Sequence, residues 1–154
     1  MKNTVQYRSY QRERLDGDYM EKYYQKRWQQ RFQNFERTLS LLEEAINIST
    51  PSVVERAGMI QFFEMTFELG CKVLKDYLED GGYIVKSPRE AIKLAFQQNI
   101  VLNGEQWLQA LGDRNLTVHI YNETQAEQIE KYIRCDYYPL LRSLKETLIN
   151  ELHN

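Results

Sequence analysis

Trp28, Phe32, Phe35, Leu39, Leu42 and Ile46 follow one another at spacings of four, three, four, three and four. Residues three and four apart share a helix face, so this stripe predicts a first helix over about residues 22–48. Arg27, Arg31, Glu36 and Glu43 fall on its wet side. Thr50-Pro51-Ser52-Val53-Val54-Glu55 reads as the next start, because proline suits a first turn and Ser52 with Glu55 can form a capping box. The second helix runs to about Asp80, carries Ile60, Phe63, Phe67, Leu74 and Leu78, and meets a left-handed stop at Gly81-Gly82. Beside its apolar face lies a polar line, Gln61, Glu64, Glu68 and Lys72. Such a line is either a solvated face paired at i,i+4 or the wall of a groove that meets a partner.

Ser87-Pro88-Arg89-Glu90 repeats the start signal and opens a short third helix to about Gln98, with Ala91, Ile92, Leu94, Ala95 and Phe96. Residues 99–103 form a connection, and Asn103 with Gln106 can cap a fourth helix that sends Trp107, Leu108 and Leu111 towards the core. The last helix begins near Asn122 or Thr124 and runs to about Leu152, with Ile129, Ile133, Leu140, Leu144 and Leu148 inward. Pro139 should bend it, since its ring removes a donor and crowds the preceding turn. The pattern is that of an all-α bundle over residues 20–154. Residues 1–19 have mixed charge, little apolar period and an Asp16-Gly17-Asp18 break, and read as an extension, either disordered or held by a neighbouring subunit. Met20 then reads as a protein start in its own right.

A chain of 154 residues suits one domain with a real core. No apolar run approaches the roughly 20 residues that span a bilayer, and no signal-peptide core opens the chain. Cys71 and Cys135 lie far apart without metal-ligand spacing, which points to a reducing cytoplasm and to two small buried apolar residues. The net charge of −2 disfavours a broad electrostatic surface for RNA. Arg8, Arg12 and Arg14 with Tyr7 and Tyr10 can touch RNA or form a solvated tail.

The chemistry-bearing residues gather between the fourth and fifth helices, at Asp113-Arg114-Asn115 and at His119, Tyr121 and Glu123. The only other histidine, His153, is next to the C-terminus, where ends fray. An imidazole titrates near neutral pH, so His119 is the natural acid–base candidate. On a continuous helix Arg114 and His119, five residues apart, would point about 140° away from each other. Either the backbone turns at the motif or the pair meets across a twofold axis. A plainer reading has Arg and His capping carbonyls or pairing with Asp113 and Glu123. No Gly-rich phosphate loop, paired acidic metal site or nucleophile–base arrangement is present, so nucleotidyl transfer itself is not expected of this chain, nor is a metal or cofactor.

The spacing R-x4-H-x-Y at Arg114, His119 and Tyr121, with Asn115 after the arginine, resembles the signature of the HEPN superfamily, in its nucleotidyltransferase-substrate-binding or HepT-like branch. Trp28-Gln29-Gln30-Arg31-Phe32, Arg56-Ala57-Gly58-Met59-Ile60-Gln61-Phe62-Phe63-Glu64 and Ser87-Pro88-Arg89-Glu90-Ala91 resemble that branch too, so the likeness covers about residues 20–148. The resemblance implies a four-helix up-and-down core with an additional short helix, a twofold homodimer, and a small nucleotidyltransferase encoded nearby as its antitoxin. It implies a metal-independent ribonuclease toxin in which Arg114 and His119 are catalytic and Asn115 and Asp113 support them. Tyr121 would be the acceptor of AMP from the partner, which silences the toxin. Cleaving RNA without metal needs a base, an acid and positive charge on the phosphate. Arg114 suits the phosphate. One imidazole cannot be base and acid at once, so a dimer must supply two copies of His119, or water takes one role. The alternative is a non-catalytic substrate-binding subunit of a nucleotidyltransferase, with a groove at Gln61, Glu64 and Glu68. A third reading, a purely helical interaction module, requires a motif that is buried and salt-bridged.

Overall fold

In the computed structural model of the protein, residues 27–154 are described, and the expectations for the extension, for Met20 and for the first turn of the opening helix lie outside them. The described part of α1 spans residues 27–46, followed by α2 (Val53–Asp80), the short α3 (Pro88–Gln97) and α4 (Gly104–Leu116). A 3-10 turn at Thr117–His119 then leads to α5 (Glu123–Tyr132), which runs through a π turn (Ile133–Tyr137) into α6 (Tyr138–His153). Among the described residues there is no strand, and the all-α bundle expected from the pattern is the observed fold.

α2 is the central element and packs on α3, α4, α5 and α6. Its start is the expected capping box: the Ser52 hydroxyl accepts from the Glu55 N–H at 3.1 Å, and the Glu55 carboxylate accepts from the Ser52 N–H at 2.9 Å. Its end differs by one residue from the simplest reading. Gly81 stays at φ −78°, and Gly82, at φ +92°, is the left-handed residue that turns the chain. α3 opens as expected, with the Ser87 hydroxyl accepting from the Glu90 N–H at 3.1 Å. α4 does not: Asn103 stands at its N-cap, but its side chain makes no capping bond, and the main-chain bond from Trp107 N–H to Asn103 C=O starts the helix instead.

Trp28, Phe32, Phe35, Leu39 and Leu42 of α1 are buried with Ile60, Phe63, Phe67, Leu74 and Leu78 of α2 and with Ile129, Ile133, Leu140, Leu144 and Leu148 of the last helix. Gly70 allows α1 and α2 to meet closely, since a Cβ there would lie 3.3 Å from the Phe35 ring. Arg27 and Arg31, expected simply on the wet side, instead aim at the buried carboxylate of Asp76, at 3.6 and 3.1 Å. Burial raises the Asp76 pKa, and the two arginines offset part of that rise. Cys71 is buried as expected, but Cys135 is exposed, because the π turn presents it outwards.

The bend expected at Pro139 takes the form of this π turn. A proline ring crowds the carbonyl one turn back and cannot donate to it. Widening the turn just upstream relieves that conflict, and the Tyr138 N–H reaches the Ile133 C=O five residues back. The same widening leaves Tyr137 buried in the core, stacked on Phe63 with ring centroids 5.4 Å apart.

Candidate functional site

α4 stops where its sequence turns β-branched, at Thr117, Val118 and Ile120. The Thr117 hydroxyl donates to the Arg114 carbonyl at 2.7 Å, the 3-10 turn closes over Thr117–His119, and Ile120 is extended. The backbone therefore turns inside the motif. On the far side Asn122 caps α5 by accepting from the Gln125 N–H at 2.9 Å, while the Tyr121 N–H donates to the Gln125 side chain at 3.1 Å.

This entry to α5 is held down by charges far apart in sequence. Arg56 of α2 pairs with Glu123 and Glu130, each at 2.7 Å, and Arg134 pairs with Glu130 at 2.9 Å. Arg134 also donates to the carbonyls of Ile46 and Ile48 at the end of α1, at 2.5 and 2.7 Å. Burial alone would raise the Glu130 pKa, but hydrogen bonds from both arginines outweigh it and hold the carboxyl below its usual range.

The motif residues separate into three environments. Asp113 turns towards the core, where its carboxylate accepts a very short hydrogen bond from the Tyr137 hydroxyl. Burial, reinforced by this carboxylate, pushes the Tyr137 pKa upward. Arg114 and Asn115 line a cleft of about 540 Å³ between α2, α3 and α4. There Arg114 Nη2 donates to Glu68 Oε2 at 2.8 Å, and the other Glu68 oxygen meets Lys72 Nζ at 2.9 Å. Glu68 is held below its usual pKa by the Lys72 hydrogen bond first and by the charge of both cations, against a burial effect of opposite sign. Arg114 Nε is enclosed and has no hydrogen-bond partner. His119 and Tyr121 form the third environment, an exposed edge on which His119 Nδ1 lies 3.5 Å from the Tyr121 hydroxyl. Tyr121 is 82% exposed, and Leu116 and Val118 beside it are exposed as well.

Within one chain the structure joins Glu68 to Arg114 and His119 to Tyr121. It does not join Arg114 to His119: no hydrogen bond links them, and His119 is not part of the cleft lining. Glu64 and Gln61 stand one and two turns before Glu68 on α2, also outside that lining. Sequence reasoning missed several members of the site. Lys75, at i+3 from Lys72, continues the polar line into the cleft and was findable from spacing. Lys86 and Arg89 reach the cleft from the start of α3, and Arg56, Tyr137 and Arg134 act through contacts 24 to 88 residues away, which no local pattern announces. Among the described residues no three His, Cys, Asp or Glu side chains gather as metal ligands, and no helix is long and apolar enough to cross a membrane.

No curated protein of known role matches the chain. A protein of Thermus thermophilus with a crystal structure is similar to it, with 35% identity and a TM-score of 0.66 over 78% of this chain and 99% of that one. Residues 30–150 match the family described as nucleotidyltransferase substrate binding protein like. The chain belongs to the nucleotidyltransferase substrate-binding protein-like family.

Proposed function

We propose that this protein is the partner of a small nucleotidyltransferase, encoded nearby, and that the exposed His119–Tyr121 edge is the surface on which that enzyme acts. The observation carrying this reading is an almost fully exposed tyrosine whose hydroxyl lies 3.5 Å from an imidazole nitrogen. The Tyr121 oxygen attacks the α-phosphorus of ATP in the partner's site, the bond to pyrophosphate breaks, and the phenol proton passes to His119 Nδ1 as general base. The partner supplies the site for ATP, and this chain supplies acceptor and base. Transfer of label from α-labelled ATP by the partner tests it. Wild-type protein takes the label, Tyr121→Phe takes none, and His119→Ala is labelled more slowly. Equal labelling of Tyr121→Phe overturns the assignment.

A second reading, the ribonuclease toxin silenced by this modification, is favoured by the cationic cleft that leads to Arg114. Arg114 would hold the scissile phosphate and His119 would move its protons, with a second copy in a twofold homodimer bringing together what one chain keeps apart. AMP on Tyr121 would then place a bulky anion beside His119, which accounts for silencing by charge repulsion and blocked access. Incubation of unmodified protein with RNA and EDTA separates the two readings. Cleavage leaving 2′,3′-cyclic ends, lost in His119→Ala and Arg114→Ala, is the toxin's result. No cleavage by folded, unmodified protein leaves the substrate-binding partner alone.

A further inference from the structure

Tyr121 stands in solvent, and the turn that carries it has little apolar hold on the rest of the protein. Residues 121–125 are all exposed, and the first buried side chain of α5 is Ala126, followed by Ile129. A helix end without packing frays, because its opening N–H groups have no partner inside the helix. Polar contacts do the holding here. The Asn122 side chain accepts from the Gln125 N–H at 2.9 Å, and the Gln125 side chain accepts from the Tyr121 N–H at 3.1 Å. Each joins residues three or four apart, so both last only while the first turn of α5 is formed.

What ties this turn to another element is Arg56 of α2. Its Nη1 donates to Glu123 Oε2 and its Nε to Glu130 Oε1, both at 2.7 Å, while Nη2 reaches the Pro51 carbonyl at 3.5 Å. All three guanidinium nitrogens are engaged, one of them on the first residue of α5 and another on a residue two turns further along it. Arg56 and Glu130 are 13% and 14% exposed, so these charge-assisted bonds are stronger than those of an open surface pair. Residues seven apart share a helix face, and one planar fork therefore fixes both the place and the direction of the helix that follows Tyr121.

We propose that Arg56 is the positioning residue of the acceptor: by clamping Glu123 and Glu130 it holds the first turn of α5, and through Gln125 that turn fixes the backbone from which Tyr121 reaches the partner's nucleotide. The inference rests on the reading of Tyr121 as the AMP acceptor. Arg56 makes no bond to Tyr121 and acts on the fraction of molecules in which the tyrosine is presented. Lowering that fraction weakens the apparent affinity for the partner and leaves the chemical step within the formed complex unchanged.

Two measurements on the full chain test it. Without the partner, amide hydrogen exchange in peptides covering residues 117–126 should be about tenfold faster in Arg56→Ala than in wild type. With the partner enzyme and α-labelled ATP, Arg56→Ala should raise KM for this protein about tenfold while kcat stays within about twofold, whereas His119→Ala lowers kcat. Arg56→Lys, which cannot fork between two carboxylates, should recover only part of the loss. Glu123→Gln weakens the hold on the first turn alone and should raise KM about threefold, which keeps the test decisive if Arg56→Ala does not fold. Leu78→Ala, about 33 Å along α2 from Arg56, truncates the core and should leave both readouts as in wild type. Either readout at its wild-type value in folded Arg56→Ala overturns the proposal, as does a loss confined to kcat or an equal rise of KM in Leu78→Ala. A wild type that takes no label overturns the acceptor reading and the role of Arg56 with it, and faster exchange in Arg56→Ala then marks a structural clamp alone.

Discussion

Tyr137→Phe removes a single oxygen from the centre of the protein, and its consequence can be worked from the structure. The ring is retained, so stacking on Phe63 at 5.4 Å and on Tyr132 at 6.0 Å survives, and no cavity is opened. What disappears is the hydroxyl's bond to the Asp113 carboxylate, the tie between the π turn and the end of α4. A hydrogen bond to a charged group contributes about 1.5–3 kcal/mol. Asp113 is only half-buried, so water can replace part of the lost donor, which brings the expected cost to about 1–2 kcal/mol. Urea unfolding should show a lower midpoint with an unchanged slope. Asp113→Asn keeps an acceptor and should cost less. In a double-mutant cycle the two substitutions should couple by about 1 kcal/mol, because both act on one bond. A Tyr137→Phe protein as stable as wild type, or a cycle without coupling, would refute the reasoning and make the contact incidental.

Arg134→Ala should cost about 2–4 kcal/mol in the same assay, since the carbonyls of Ile46 and Ile48 lose their donor and Glu130 loses one of two partners. Lysine at that position should recover less than half, as an ammonium cannot fork between the carbonyls of Ile46 and Ile48. Thermal midpoints across pH should fall at both ends. Burial, aided by Glu151, pushes the Tyr77 pKa up to about 12, and burial also raises Tyr137. Folded-state values above the unfolded one mean that this stability is whole below about pH 10 and is lost as pH rises further. Glu130 is shifted the other way, so its contribution is present above about pH 4.3 and is lost as pH falls through its lowered folded value. Glu130→Gln should flatten the acid limb. A limb unchanged by that substitution would count against the Arg56–Glu130–Arg134 network. Tyr121→Phe should leave stability within about 0.5 kcal/mol of wild type, because the side chain stands in solvent.

The helices were legible because their signals are local. The α1 stripe, the Ser52–Glu55 box and the Ser87 cap each rest on residues within one or two turns, and each is realised as such. Asn103 shows the limit, since the same residue type at a helix start makes no side-chain bond when the main chain already closes the turn. Pro139 is a sound warning of irregularity, yet the backbone absorbs it upstream as a π turn, with the Tyr138 N–H reaching back to the Ile133 carbonyl. The motif's residue types were visible, but their grouping was not. Glu68 of α2 claims Arg114, Tyr137 claims Asp113, and His119 is left with Tyr121. Those partnerships depend on helices brought together in three dimensions, across sequence gaps that no spacing rule covers.

The central claim is that Tyr121 is the acceptor on this protein's working edge. The most direct measurement is the intact mass of protein produced together with its nucleotidyltransferase, followed by fragmentation of the peptide containing residues 117–125. The account predicts added AMP located on Tyr121, absent when the partner is withheld and absent from Tyr121→Phe. Unmodified protein in the presence of active partner, or AMP on another tyrosine such as Tyr132 with Tyr121 untouched, would contradict it.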